Sequence, residues 1–172
     1  MSIPESSPPI RAVLFDVDGT LYHARPMRLR MAASLLLLPL RGPRRALAVI
    51  RHLRSYRRAL EEVRDWPPSD ENVAVAHLMR AAQLAGDEPD RVRATVEDWF
   101  MKRPLPYLRR CRRAGLLELL EQLRRAGCQI GFFSDYPVED KLDALGVREF
   151  ASVCLSAGDP EVNAFKPRPQ GF

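Results

Sequence analysis

The chain has 172 residues, 46% of them apolar, so it can bury a core and is not a disordered polymer. Of its 27 basic residues 24 are arginine, and the formal net charge is +5. The arginines are spread along predicted helices, which favours ordinary solvated surfaces over a nucleic-acid or membrane partner. The three cysteines, Cys111, Cys128 and Cys154, follow no zinc or disulfide spacing and favour a reducing, cytoplasmic setting.

The N-terminus and one leucine-rich run are the segments whose composition bears on membrane targeting. Met1 to Pro9 has no charged-then-apolar signal pattern. Met31–Leu40 is the most apolar run, but it is too short to span a bilayer. Because arginines flank this run, it could form a helix at a membrane surface, although a buried helix in a helical subdomain is favoured.

The first predicted strand leads directly to two carboxylates. Ile10–Phe15 reads IRAVLF, which is typical of a short buried strand in a parallel sheet. Asp16 and Asp18 follow it, in a turn that continues with Gly19 and Thr20. In open α/β sheets, ligands bind just beyond the carboxyl ends of the strands.

Helix signals replace strand signals from Leu21 to about Arg110. Proline, acidic and glycine signals predict three helices there. They run from Pro43 to Asp65, ending before Trp66-Pro67-Pro68, from Asp70 to Ala85 with Ser69 as the N-cap, and from Pro89 to about Arg103. Trp99, Phe100 and Met101 are expected to pack inward as core residues.

Strands and helices alternate in the remainder. The pattern predicts helices over Leu116–Ala126 and Val138–Leu145, and strands over Gln129–Phe133 and Ser152–Leu155. Such alternation implies crossover units and an α/β fold with a Rossmann-like parallel sheet. We therefore expect a core formed by residues 1–21 and 111–172, with an inserted α-helical cap over residues 22–110.

Three sets of polar residues follow apolar runs and should converge at one edge of the sheet. They are Asp16-x-Asp18, Ser134-Asp135 and Lys166. A carboxylate can attack a phosphoryl group, and a second carboxylate can exchange a proton with the leaving oxygen and with water. A hydroxyl and a lysine can hold the phosphate oxygens, and Mg²⁺ can screen the charges of nucleophile and phosphate. The set is consistent with phosphoryl transfer.

At these residues the chain resembles the haloacid-dehalogenase-like hydrolase superfamily. VLFDVDGTL is similar to the first motif of that family, Ser134 in FFSDYP to the second, and Lys166 in FKPRPQGF to the third. The resemblance implies that Asp16 is the nucleophile and Asp18 the general acid/base. It also implies that Asp16 and Asp18 bind Mg²⁺, Asp18 through its backbone carbonyl. The implied phosphate-binding set is Ser134, Lys166, Asp135, Gly19 and Thr20.

The resemblance also carries expectations about substrate and completeness. The expected substrate is a small phosphorylated metabolite, which a helical cap between the first two motifs would select, and Arg25, Arg28 and Arg30 near the hinge could attract it. The fourth motif of the family, an acidic pair after a further strand, has no counterpart before Phe172, and Gly158-Asp159 does not replace it. A truncated chain with weak or no activity is therefore expected.

Simpler explanations and other functions remain open. Asp-x-Asp-Gly-Thr could be only a turn, Ser134 could cap the helix that follows it, and Asp135 could be a turn residue rather than a catalyst. His23, His52 and His77 are expected to be structural or exposed, although Tyr22 and His23 could face the cavity. The alternative functions are a metal-independent dehalogenase, which would also use Asp16, and a non-catalytic basic module that binds nucleic acid or a membrane surface.

Overall fold

The computed structural model describes residues 10–67 and 69–171. The N-terminal stretch 1–9, Pro68 and Phe172, which enter the sequence interpretation, lie outside the described residues. Three parallel strands form one sheet: β1 (Ala12–Asp16), β2 (Gln129–Ser134) and β3 (Val153–Ser156). The predicted α/β class is confirmed, since helices separate and flank these strands.

The strand order β1-β2-β3 brings three strand ends together. Asp16 lies opposite Phe133, and Ser134 lies opposite Ser156. Polar residues that end the first two strands are therefore neighbours at the carboxyl edge of the sheet.

The burial of the strands depends on their position in the sheet. β2 lies between the other two and is buried from Ile130 to Ser134. The prediction that β1 is buried on both faces is wrong, because its side chains alternate between exposed and half-buried. Among the described strands β1 pairs only with β2, and its inward face stacks Phe15 on Phe132 at 5.9 Å between ring centroids.

Helices occupy the chain between β1 and β2. These are α1 (Ala24–Leu37), α2 (Pro43–Arg64), α3 (Val73–Ala85), α4 (Pro89–Val96), α5 (Leu105–Cys111) and α6 (Leu116–Arg125). A 3₁₀ turn (Leu38–Arg41) follows α1, and a π-helical segment (Glu97–Lys102) continues α4. Between β2 and β3 lie α7 (Glu139–Leu145) and a 3₁₀ turn (Arg148–Phe150), and a last 3₁₀ turn spans Pro169–Gly171.

Two helix predictions need correction. The second predicted helix begins at Val73 and not at Asp70, because the side chain of Asn72, and not that of Ser69, accepts hydrogen bonds from the backbone N–H groups of Ala74 and Val75. The Met31–Leu40 run is not a buried helix. Only Leu38 is buried there, since one side of α1 packs on the other helices while its opposite side faces solvent.

Of the hydrophobic cores among the described residues, the two largest lie under these elements. The core beneath the sheet combines Phe132 and Ile130 of β2 with residues of α5, α6 and α7, such as Leu108, Leu120 and Leu142. A second core joins α2, α3 and α4 around Ala59, Ala81 and Val92. Because α5 packs with α7, its leucines belong to the core of the sheet, and the division at residues 110 and 111 stays a prediction. Of the helices that the structure describes, none has the length and apolar character to cross a membrane.

Candidate active site

The turn after β1 presents its two aspartates to the sheet edge. The N–H groups of Thr20 and Leu21 both donate to the Val17 carbonyl, at 3.3 and 3.2 Å, which closes a tight turn. Gly19 adopts φ +92°, a conformation that glycine reaches without the steric cost of a Cβ. The guanidinium of Arg113 donates to the carbonyls of Gly19 and Thr20 and so fixes the turn from outside.

Asp16 lies at the centre of the first polar cluster. Lys166 Nζ donates to Asp16 Oδ1 at 2.6 Å, and Thr20 Oγ1 donates to Oδ2 at 2.6 Å. Lys166 Nζ is also held by the Phe133 carbonyl at 3.0 Å and lies 4.6 Å from the centre of the Phe133 ring. The Asp16 side chain is 43% exposed, so a ligand from solvent can reach it.

Asp18 lies at the centre of the second cluster. Ser134 Oγ donates to its Oδ2 at 2.6 Å, and the Tyr22 hydroxyl donates to its Oδ1 at 2.7 Å. Lys141 Nζ contacts both carboxylate oxygens, at 2.7 and 2.8 Å. Burial alone would raise the pKa of Asp18, but the charge of Lys141 and these hydrogen bonds outweigh burial and lower the pKa below its usual value. Asp18 is therefore held as a carboxylate.

Of the side chains that contact Asp18, the sequence suggests a place in the site for Tyr22 but not for Lys141. Tyr22 was expected as a possible cavity residue, and burial together with the neighbouring Asp18 charge raises the pKa of its phenol, so it remains a hydrogen-bond donor. Lys141 was missed. It lies on α7, where a single lysine within a helical pattern reads as a solvated residue, yet only 7% of it is exposed. The only signal was its place one helical turn into the helix that follows Ser134.

Residues around Ser134 connect the site to the helical segment. The carboxylate of Asp135 pairs with Arg64 of α2 at 2.5 Å and accepts a hydrogen bond from the Lys166 backbone N–H at 2.9 Å. Asp135 thus positions the segment that carries Lys166, and its role in phosphate binding stays a prediction. The capping prediction for Ser134 is wrong, because Ser134 Oγ accepts from the Tyr136 N–H within a turn, and α7 begins after Val138.

The site offers a cation only a few ligands, and all of them are oxygen atoms. No group of three or more histidine, cysteine or acidic residues that could hold a metal occurs within residues 10–67 and 69–171. Asp159 is engaged elsewhere, since its carboxylate accepts from the backbone and hydroxyl of Ser156. Mg²⁺, however, commonly binds one or two carboxylates and completes its shell with water and substrate phosphate. The carboxylate of Asp16 and the backbone carbonyl of Asp18 are ligands of the kind that such a Mg²⁺ site uses.

The fold and the site define an α/β protein in which two aspartates, a serine and a lysine from three chain segments meet at the carboxyl ends of parallel strands. A family model for haloacid dehalogenase-like hydrolases matches residues 10–172. The chain belongs to this family of hydrolases, as its three motifs indicated. No curated protein matches the chain.

Proposed function

We propose that the protein is a Mg²⁺-dependent phosphate-ester hydrolase that works through an aspartyl-phosphate on Asp16. The observation that carries the proposal is the pairing of a solvent-reachable Asp16 with Lys166 at 2.6 Å, beside an Asp18 that three side chains hold in place. A nucleophile, a proton carrier and a cation are the groups that phosphoryl transfer requires.

In the first half-reaction, an oxygen of Asp16 attacks phosphorus and the bond to the ester oxygen breaks. Asp18, which rests as a carboxylate, must first take up a proton from solvent, and it then gives that proton to the leaving oxygen. Lys166, Ser134 and the turn at Gly19 and Thr20 stabilise the negative charge on the phosphate oxygens.

In the second half-reaction, water attacks the phosphorus of the aspartyl-phosphate. Asp18, now a carboxylate, takes a proton from that water, and the bond to Asp16 breaks to release phosphate. The donors around Asp18 stabilise its carboxylate form, which is the form that this step requires.

Asp16 and the backbone carbonyl of Asp18 would hold Mg²⁺. Bound there, the ion would reduce the repulsion between the nucleophile and the substrate phosphate. We further propose that the helices between β1 and β2 act as a cap that selects a small phosphorylated metabolite in the cytoplasm. The ion pair between Arg64 and Asp135, which joins α2 to the loop after β2, supports this arrangement.

The test compares p-nitrophenyl phosphate turnover with and without Mg²⁺ in the unaltered protein and in Asp16→Asn. Turnover is expected to be weak, to require Mg²⁺ and to be lost in the variant, because the nucleophile is removed. Asp90→Asn is the matched control, since Asp90 is 94% exposed on α4, and it should leave turnover unchanged.

A second readout does not require turnover. After incubation with acetyl phosphate and Mg²⁺ and an acid quench, mass spectrometry should find a phosphoryl group on the peptide that contains Asp16. Failure of both turnover and adduct formation would refute the proposal. Metal-independent halide release from a 2-haloacid, lost in Asp16→Asn, would instead establish the dehalogenase, whose leaving halide needs no proton from Asp18.

A further inference from the structure

The first part of the helical segment has an extreme charge distribution. Between Leu21 and Leu60 the chain contains ten arginines and no aspartate or glutamate. The rest of the chain contains 17 basic and 22 acidic residues, so the positive net charge originates in this segment. Arg51 and Arg58 pair with Asp87 and Glu62, which lie outside the segment, but an excess of positive charge remains. Such an excess attracts anionic partners over several ångströms.

Four leucines of α1 and of the turn after it are exposed to solvent. Leu29, Leu36, Leu37 and Leu40 are 73%, 79%, 60% and 84% exposed. Leu29 and Leu36 lie seven residues apart on α1, which puts them on the same side of the helix. We call these four leucines the leucine face. A cluster of exposed leucines is unusual for a surface that meets only water.

The inward side of the same helix is already packed. Met31, Leu35 and Leu38 contact a cluster that contains Leu53 and Trp99. The side of α1 that packs into the core is therefore a different side from the leucine face. Rotating the helix to bury the leucine face would expose the apolar residues that are packed now.

Arginines flank the leucine face along the chain. Arg25 and Arg28 are exposed near the start of α1, and Arg44 and Arg45 are exposed at the start of α2, just after Leu40. Arg44, Arg51 and Arg54 also line an open groove of about 510 Å³ on α2 together with Leu47, which is 69% exposed. This groove shares no lining residue with the carboxylate site.

We propose that the leucine face docks on the surface of a membrane that contains anionic lipids. The leucines would enter the boundary between headgroups and acyl chains, while the flanking arginines would contact lipid phosphates. For the Met31–Leu40 run the sequence favours a buried helix over a helix at a membrane surface, and the exposure of the leucine face contradicts the buried helix.

Two other occupants fit less well. A second copy of the chain packed face to face would bring two arginine-rich segments together without acidic partners between them. A nucleic acid would neutralise the arginines, but it offers no apolar medium for four leucines, and the leucine face has no aromatic side chain for base stacking. An anionic bilayer satisfies both the charge and the apolar area.

Co-sedimentation with vesicles tests the proposal and does not depend on catalysis. The protein should bind vesicles of phosphatidylcholine with about one-third phosphatidylglycerol, and should bind phosphatidylcholine alone about tenfold more weakly or less. Leu36→Ser/Leu37→Ser should lower binding about tenfold, whereas Leu119→Ser, which alters an exposed leucine on α6, should not. Circular dichroism melting would establish that each variant is folded.

A second pair of variants tests the charge. Arg25→Gln/Arg44→Gln should weaken binding to anionic vesicles, while Arg109→Gln/Arg110→Gln, which removes the same charge elsewhere, should have little effect. Absence of binding to anionic vesicles, or equal losses in both arginine pairs, would overturn the proposal. A dimer in sedimentation analysis that the serine variants convert to monomer would also overturn it, in favour of a second copy as the partner. Binding to DNA that the serine variants leave unchanged would overturn it in favour of a nucleic acid.

Discussion

At the scale of single residues, the most informative group is the Asp18 carboxylate. Three side chains from three elements donate to it: Tyr22 after the first turn, Ser134 at the end of β2, and Lys141 on α7. Two of the donors are neutral and one is charged. The charged donor makes the largest favourable contribution to the ionised state of Asp18, against the opposing effect of burial.

Replacing Lys141 with methionine should keep the packing of α7 and remove the charge. Burial then dominates, the pKa of Asp18 rises, and the pH dependence that reports Asp18 should move to higher pH. We expect kcat to fall about tenfold or more, since acid–base catalysis contributes about 10²–10⁴-fold.

The measurement for Lys141 is a pH profile of kcat and kcat/KM. Lys102→Met is the matched control, because the Lys102 side chain is 68% exposed on the π-helical segment, and its profile should match that of the unaltered protein. A Lys141→Met profile that coincides with the control would show that Lys141 only fills space.

At the scale of elements, the start of α3 shows how a side chain sets a helix boundary. Asn72 accepts from two backbone N–H groups of the first turn, and its amide nitrogen donates to the Gly158 carbonyl at 2.7 Å. The same residue therefore begins α3 and ties it to the loop after β3. Nothing in the spacing of the local sequence indicates the second of these contacts.

Asn72→Ala should lower the free energy of unfolding by about 1 kcal/mol or more, because it removes an N-cap. The additional loss of the bond to Gly158 acts in the same direction. Urea unfolding would measure the change, with Ser69→Ala as the control at the position that the sequence favoured as the cap. Equal effects of the two substitutions would contradict the cap assignment.

At the scale of the whole molecule, the helical segment is fastened to the loop that follows β3. Asn163 accepts from the Val73 N–H and donates to the Glu71 carbonyl, and Arg168 donates to the carbonyls of Arg64 and Trp66. A small apolar cluster of Val63, Ala157 and Phe165 lies between them. These contacts hold the loop that carries Lys166 against α2 and α3.

His77 belongs to this junction and should make stability depend on pH. Its Nε2 donates to the Tyr56 carbonyl at 2.7 Å, and its ring meets Phe165 edge to face at 5.4 Å. Burial lowers the pKa of His77 below its ordinary value of 6.5. The unfolded chain therefore binds the proton more readily, so stability is fully present above pH 6.5 and is lost as pH falls through the lowered pKa.

Thermal unfolding between neutral and mildly acidic pH would measure this contribution. The loss attributable to His77 can reach about 1.4 kcal/mol per pH unit, and His77→Gln should flatten the curve. His23→Gln, which alters an exposed histidine, should keep the slope of the unaltered protein. A slope unchanged in His77→Gln would contradict the assignment.

The sequence by itself determined the family and the α/β class, and it predicted that Asp16, Ser134 and Lys166 meet. Asp16 and Ser134 meet because each ends a parallel strand at one edge of the sheet, whereas Lys166 reaches that edge from the loop after β3. It also located most helices, since proline and glycine act on the chain locally. The π-helical continuation after Val96 still lay inside the predicted helix.

Only the tertiary structure decided which polar side chains form hydrogen bonds and ion pairs with one another. Lys141 is separated from Asp18 by 123 residues, and Arg64 from Asp135 by 71, so no local pattern could pair them. The exposure of β1 and of the leucine face likewise depends on which surfaces find a packing partner. That choice is made by the whole fold, since an apolar residue has the same local preference whether or not another element covers it.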